Sequence, residues 1–510
     1  MEPSLYQDFT WNQVKPGRWE RDVDEIEQFY TTLARRFQGT GKTFFAMTAH
    51  VSFSVKRTQS SIESHELYVT SALQKAWLRL RYDHPTIASW VEYDREEKRC
   101  KKVYEMFPDP GNVHGSAWLK ETFRIVSTSQ SCQDWCNSDP PVPKLPTLFV
   151  IKQPTTASTN TTFSADVVLR SQHDIIDGIG SLYLLNSLFK YAGIALDDAT
   201  AFHIPSFGDE WTNLSPPFRV AASLPASLTV EQETRLKQIL KKNASLRQGI
   251  QVATIPVQSE QLVPGRHQRV SLSLDSQQTQ KLLVACKSVG ASVTHVYHAA
   301  IALVLRDAQE RYSEERNVRY ISYSLINERA HCKAPYNTSQ HAVTVYHSAS
   351  GPSLAIDLRV PAAAAVTSQT TGDAASEFAQ VLELVRDYYL GIRNDPEHVA
   401  FIPSYWKLST PPYPDSSDIP PIPSPNKAPS VSISSLGVID NIISPTQGLF
   451  ELDVPWVTGE ELGTGLGLFL GTFRGRTYLS AAYNDAWHNE TEVMEFLSKC
   501  NSLVFEAFVV

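Results

Sequence analysis

Two α/β lobes of similar size, separated by a proline-marked crossover, are what this chain of 510 residues predicts. Three observations carry that expectation. The length exceeds what one ordinary hydrophobic core serves and implies about two to four domains. Helix-period and strand-period apolar patterns alternate through both halves. Between the halves, residues 203–222 lose periodicity and bring Pro205, Pro216 and Pro217. The expected boundaries are 1–215 for an N-terminal lobe, 216–250 for the crossover and 251–510 for a C-terminal lobe.

In order along the chain, residues 20–37 read as a helix, with Ile26, Tyr30, Leu33 and Phe37 on one apolar stripe. Thr43 to Val55 alternates as a strand does, and Ser61 to Arg81 is a second long helix carrying Leu67, Leu73, Ala76, Trp77 and Leu80. Strand-like runs at 145–152 and 161–169, joined by a Thr/Asn-rich turn, precede a helix at 179–190. In the second half, Asp275 to Val289 is helical and Gly290 suits the residue just past its end, while Thr294 is expected to cap the next helix through His298, Ile301 and Leu305. Strand-like runs follow at 319–326, 341–347, 430–436, 465–470 and 477–482, and a helix at 489–507 ends the chain. The Pro/Ser-rich stretch 403–429 reads as a long surface loop.

Composition excludes several classes. Hydrophobic residues at 42% and charged residues at 20% are ordinary for a globular protein. A net charge of -8 without a Lys/Arg-rich block argues against nucleic acid and anionic membrane as partners. Neither a secretory signal nor an uninterrupted apolar run long enough for a membrane span is read, so a cytoplasmic monomer is expected. The six cysteines are scattered; Cys132 and Cys136 alone are close, and they lack the partners of a zinc site, so no metal is expected.

Chemistry concentrates at His173-Asp174-Ile175-Ile176-Asp177-Gly178. The segment follows the β-rich run Ala165 to Arg170 and precedes Ile179, Leu182, Leu185, Leu188 and Phe189 at helical spacing. A histidine at such a junction can project from a strand end into a cavity as a general base, since an imidazole with a reference pKa of ~6.5 is largely neutral near pH 7. The aspartate four residues later can brace the turn.

This HxxxDG segment resembles the active-site mark of the CoA-dependent acyltransferase superfamily, which includes plant BAHD acyltransferases, carnitine acyltransferases and peptide-synthetase condensation domains. Gln172 stands where condensation domains carry a second histidine, which argues for a plain acyltransferase. Trp77 to Ser89 (WLRLRYDHPTIAS) is similar to a block of fungal trichothecene O-acetyltransferases, as are Ser432 to Asp440, Arg474-Gly475-Arg476 and Tyr483 to His488. Asn327-Glu328-Arg329 resembles the superfamily's N/D-x-R element. The likeness runs from about residue 10 to the end.

The resemblance implies two chloramphenicol-acetyltransferase-like lobes with a channel between them, and an acyl-CoA cosubstrate with no permanently bound cofactor. It implies His173 as base, Asp177 paired structurally with Arg329 beside Gly178, and Ser434 or Ser435 as the oxyanion donor, from a likeness to the superfamily's TSW region. The plant DFGWG motif is absent, Phe450 to Trp456 standing in its place, and the residues that contact CoA are left unassigned. The implied acceptor is a terpenoid or polyketide alcohol, acetyl being the usual acyl group. Two alternatives stay open: an enzyme taking its acyl group from a carrier protein, and a pericyclase or isomerase reusing the chamber.

Other motifs fall away. Gly39-Thr40-Gly41-Lys42-Thr43 lacks the earlier glycine of a P-loop, with Arg36 in its place, and leads into a strand-like run. Gly463 to Gly467 lacks the GxGxxG order, and no G-x-S-x-G elbow is present. His295 and His298 have no third ligand near in sequence and read as packing or surface residues. Arg235, Lys237, Lys241, Lys242 and Arg247 read as a solvated helix face, or as a local basic patch for CoA.

Overall fold

A computed structural model describes residues 6–56, 62–154, 162–198, 200–257, 259–364 and 371–509. Ser61, the expected start of the second helix, and the Thr/Asn-rich turn at 155–161 lie outside the described residues. Two mixed sheets, each backed by helices, organise the chain. The first runs in the order Thr446–Gln447, Phe450–Gly459, Met47–Lys56, Thr162–Ser171, Thr147–Lys152, Phe123–Ser127. Strand alternation sends Ala49, Val51, Phe53 and Val55, with Ala165, Val167 and Leu169, to one core. The helices Ile62–Asp83 and Gly178–Asp197 cover that face through Leu73, Ala76, Trp77, Leu182, Leu185 and Phe189. Each large apolar side chain fully buried there stabilises the fold by ~1.5–3 kcal/mol.

The second sheet runs in the order His267–Leu274, Arg476–Asn484, Leu466–Phe473, Val431–Val438. Beside it lies a smaller sheet of Leu354–Val360, Arg316–Ser322 and Gln251–Val252. The helices Ser276–Ser288, Val293–Asp307, Thr371–Arg393 and Glu490–Val504 share a second core with these strands. The strand Phe450–Gly459 lies within the range expected for the second lobe, yet it pairs antiparallel with Met47–Lys56 of the first sheet, from Phe450↔Val55 to Gly459↔Met47. Gly178–Asp197 is one helix long and apolar enough to cross a membrane, and 61% of its apolar window is buried in the protein.

Several expected elements are displaced, each for a local reason. The first helix spans Glu25–Arg36 and does not begin at residue 20, because Arg18–Asp22 joins a sheet with Asn12–Lys15, Arg99–Glu105 and Ser89–Asp94, and Asp24 then closes a capping box with Glu27. The strand expected from Thr43 begins at Met47, since Phe45 takes a positive φ of 53°. Ser292 caps the helix Val293–Asp307, and Thr294 lies inside it. The helix His398–Ser409 occupies the start of the expected loop at 403, with Pro403 inside it, held by buried Phe401, Ile402 and Trp406. The strand expected at 341–347 is mostly not one. Its backbone groups serve other partners: the Thr344 carbonyl accepts from Asp177 N–H at 3.0 Å and Tyr346 N–H donates to the Asp177 carboxylate at 2.8 Å.

Candidate active site

The strand Thr162–Ser171 ends two residues before His173, and the Ile175 N–H donates to the Gln172 carbonyl at 3.3 Å, turning the chain toward the helix at Gly178. His173 is only 6% exposed. Its ring stacks on Tyr30 with centroids 3.9 Å apart and planes 17° apart, and Phe45 lies at 5.9 Å. His347 lies 5.2 Å from it. Nδ1 is buried without a hydrogen-bond partner. Burial and the neighbouring His347 hold the imidazole down to about 3, so it is neutral across the physiological range.

Asp177 has two tasks. It is the N-cap of the helix Gly178–Asp197, its Oδ1 accepting from Gly180 N–H at 2.7 Å. Its Oδ2 accepts from Arg329 Nη1 at 2.9 Å and from Tyr346 N–H at 2.8 Å. Burial alone would raise this carboxyl, but the Arg329 guanidinium outweighs it and the net shift is downward. Arg329 is held in turn by Asn327 Oδ1 at 3.3 Å and Thr344 Oγ1 at 3.1 Å. A carboxylate so occupied is fixed and cannot swing to relay a proton. Gly180 permits this junction: a Cβ there would sit 2.2 Å from the Ala342 carbonyl oxygen.

A cavity of about 660 Å³ lies in front of His173 and draws its walls from both halves of the chain. Its walls include the aromatic side chains of Phe29, Phe44, Phe45, Tyr323, Trp406 and Phe469. His173, Asp177, Gly178, Arg329, Ser434 and Ser435 all border it. The two serines differ. Val431 and Ile433 face the second core, so strand alternation turns Ser432 and Ser434 to the other face. The Ser435 hydroxyl instead accepts from Thr294 Oγ1 at 2.9 Å.

Two bordering residues escape the sequence reading. Tyr30 falls on the expected apolar stripe of the first helix and reads there as core. His347 sits in the three-residue strand His347–Ala349, whose ladder with Leu325–Asn327 puts it opposite Asn327. The Tyr30 hydroxyl and His347 Nε2 are 3.1 Å apart, which ties the stacking partner of His173 to the second half of the chain. Burial lowers His347 against the opposing pull of Asp177. His298, by contrast, is fully buried between the hydroxyls of Tyr389 and Tyr320, at 3.0 and 2.9 Å, and is a packing residue. Gln172 lies on a separate, smaller cavity with Thr43, Lys144 and Asp174.

The chain has relatives among known proteins. The family described as 15-O-acetyltransferase Tri3 matches residues 35–350. The chain is 24% identical to acetyltransferase pigO of Monascus ruber over 97% of each chain. The solved structure of TRI3 trichothecene 15-O-acetyltransferase from Fusarium sporotrichioides superimposes with a TM-score of 0.77 at 17% identity, covering 100% of this chain and 99% of that one. The first condensation domain of the CDA synthetase follows with a TM-score of 0.60 at 15% identity, over 94% and 95%. Both structural likenesses are likenesses of fold.

Proposed function

Because the chain belongs to the 15-O-acetyltransferase Tri3 family, we propose that it moves an acetyl group from acetyl-CoA directly to a hydroxyl of an apolar secondary metabolite, with His173 as general base. The observation that carries this reading is His173, buried and stacked on Tyr30 at the edge of a chamber built by both halves of the chain. The unprotonated nitrogen of the neutral ring takes the proton of the acceptor alcohol as its oxygen attacks the thioester carbonyl. Ser434, on the channel face of its strand, donates to the oxyanion, and the returned proton lets the thiolate leave. Both substrates meet in one chamber, so orientation supplies much of the rate and no acyl-enzyme is required.

The helix Val230–Ser245 favours CoA as donor. Its Leu240 and Asn243 line the chamber, while Lys237, Lys241 and Lys242, with Arg247 just beyond, are exposed and have no ion-pair partner among the described residues. Arg235 is instead committed to Asp395 and Glu397. Four free cations beside the chamber suit a nucleotide phosphate against the overall negative charge. The six cysteines are all unpaired, which supports a reducing compartment.

The test is to mix purified protein with acetyl-CoA and a panel of terpenoid and polyketide alcohols, following free thiol and product mass. Thiol release that requires the alcohol, with intersecting double-reciprocal lines, is the expected outcome. Parallel lines, or acetyl label retained on denatured protein, would point to an acyl-enzyme instead. No turnover with acetyl-CoA but turnover with an acetylated carrier protein would replace the donor.

A further inference from the structure

On the far side of the first sheet from its core, three potential metal ligands meet that are scattered in sequence, and a fourth stands one helical turn from one of them. His50 and Asp166 sit on the paired strands Met47–Lys56 and Thr162–Ser171, and Cys132 and Cys136 on the short helix Cys132–Asn137 packed over them. The donor atoms of His50, Cys132 and Asp166 all lie within 4.8 Å of one another. Cys136 follows Cys132 by one turn of the same short helix.

The hydrogen bonds of His50 point to a cation. Its Nδ1 lies 3.0 Å from the Val454 carbonyl, which can only accept, so Nδ1 carries a proton. Nε2 then faces Asp166 Oδ1 at 2.8 Å, an oxygen that also accepts from Ser52 Oγ at 2.7 Å. Cys132 Sγ lies within 4.8 Å of both, so a metal ion placed among the three would find a nitrogen, an oxygen and a sulfur donor. A histidine whose other nitrogen donates to a backbone carbonyl is oriented as metal-bound histidines are.

Charge and access agree. Two thiolates and a carboxylate around a divalent ion leave one negative charge. The guanidinium of Arg269 lies beside both thiols, lacks a carboxylate partner among the described residues and is stacked 4.2 Å over Trp456, the ring that flanks His50 at 4.9 Å. The Asp166 side chain is 27% exposed, leaving a route in.

We propose that His50, Cys132 and Asp166, with Cys136 turning in as the fourth ligand, form a structural site for a thiophilic divalent transition metal, zinc above all. Nitrogen and oxygen ligands at ~2.0–2.2 Å stand roughly 3.3–3.6 Å apart in a tetrahedron, so the His50–Asp166 pair opens by about 0.5 Å on binding. The helix Cys132–Asn137 also reaches the second sheet: Asn137 Nδ2 donates to the Arg269 carbonyl at 3.0 Å and Asn137 Oδ1 accepts from Arg269 N–H at 2.9 Å. The ion therefore clips the first sheet to the second.

The full-length protein, kept under a non-thiol reductant, is expected to carry about one zinc per chain by elemental mass spectrometry. After chelation, titration with cobalt(II) should raise a thiolate-to-cobalt charge-transfer band that saturates at one equivalent. Cys132→Ser and the near-isosteric Asp166→Asn should each weaken cobalt binding at least ~10-fold with the near-ultraviolet dichroism of the wild type. Should either variant fail to fold, the wild-type titration decides by itself. No charge-transfer band up to millimolar cobalt overturns the site and leaves His50 and Asp166 as a hydrogen-bonded pair. A band unchanged in both variants overturns it too, by placing the metal elsewhere.

Discussion

At the scale of single residues, His173 and Asp177 lie four positions apart and their surroundings divide the labour. His173→Ala removes the base from a pocket already shaped by Tyr30 and Phe45, so turnover should fall roughly 10²–10⁴-fold with an unchanged melting temperature. Near-normal turnover in a folded variant would exclude the base role. Asp177→Ala leaves Arg329 buried without its carboxylate, a loss worth ~3–5 kcal/mol, so both melting temperature and activity should drop. Arg329→Ala should resemble it, and the double variant should cost less than the sum; additive losses would mean that the contact carries no coupling. Since Arg329 holds the Asp177 carboxyl below its usual range, this contribution is complete at neutral pH and disappears only in acid, as that lowered value is crossed. The sequence shows His173 and Asp177 because motif, strand and helix are contiguous. It hides Tyr30 and His347, since an aromatic on a helical stripe looks like core, and a contact between residues 30 and 347 leaves no periodic trace.

At the scale of elements, the junction of motif and helix depends on how closely the 342–346 segment approaches. Gly180→Ala would drive a methyl group to 2.2 Å from the Ala342 carbonyl oxygen and to 3.0 Å from Arg329 Nη2. The segment must then move away, with an expected cost of ~1–3 kcal/mol and a matching loss of turnover, measured by thermal melting beside the acetyl-transfer assay. A wild-type melt would show that the segment yields freely. Elements with clear periodicity are legible in the sequence: the helix Ile62–Asp83, the strand Thr162–Ser171 and the helix Glu490–Val504 all lie close to their expected places. The strand Phe450–Gly459 is obscured by Glu451, Asp453 and Pro455; a register shift between Asp453 and Trp456 accommodates the proline. The helix His398–Ser409 is hidden by Pro403, whose local cost is offset by burial of its neighbours.

At the scale of the molecule, buried histidines set the response to acid. His84 is held down to about 4, and His173, His267 and His298 to about 3, in every case chiefly by burial. Unfolded, each takes up a proton near pH ~6.5, whereas folded they stay neutral until near pH 4 or below. The unfolded chain therefore binds more protons between those limits, and stability falls as pH is lowered, by up to about 1.4 kcal/mol per pH unit for each residue. The melting temperature should drop between pH 7 and 5, with a shallower slope in His298→Gln; a flat profile would mean that these rings are protonated in the native state.

The crossing strand also has a consequence in time. Met47–Lys56 is made early, but its partner Phe450–Gly459 follows only after about 400 further residues, a synthesis delay of roughly 20–80 s. Throughout that interval one side of the nascent first sheet presents unsatisfied amides and carbonyls, open to pairing with any passing extended segment. Severing the chain between its halves leaves that side bare for good, so each half made alone should be a poor folder. Joining the two fragments during synthesis, before either has aggregated, should restore the native ladder.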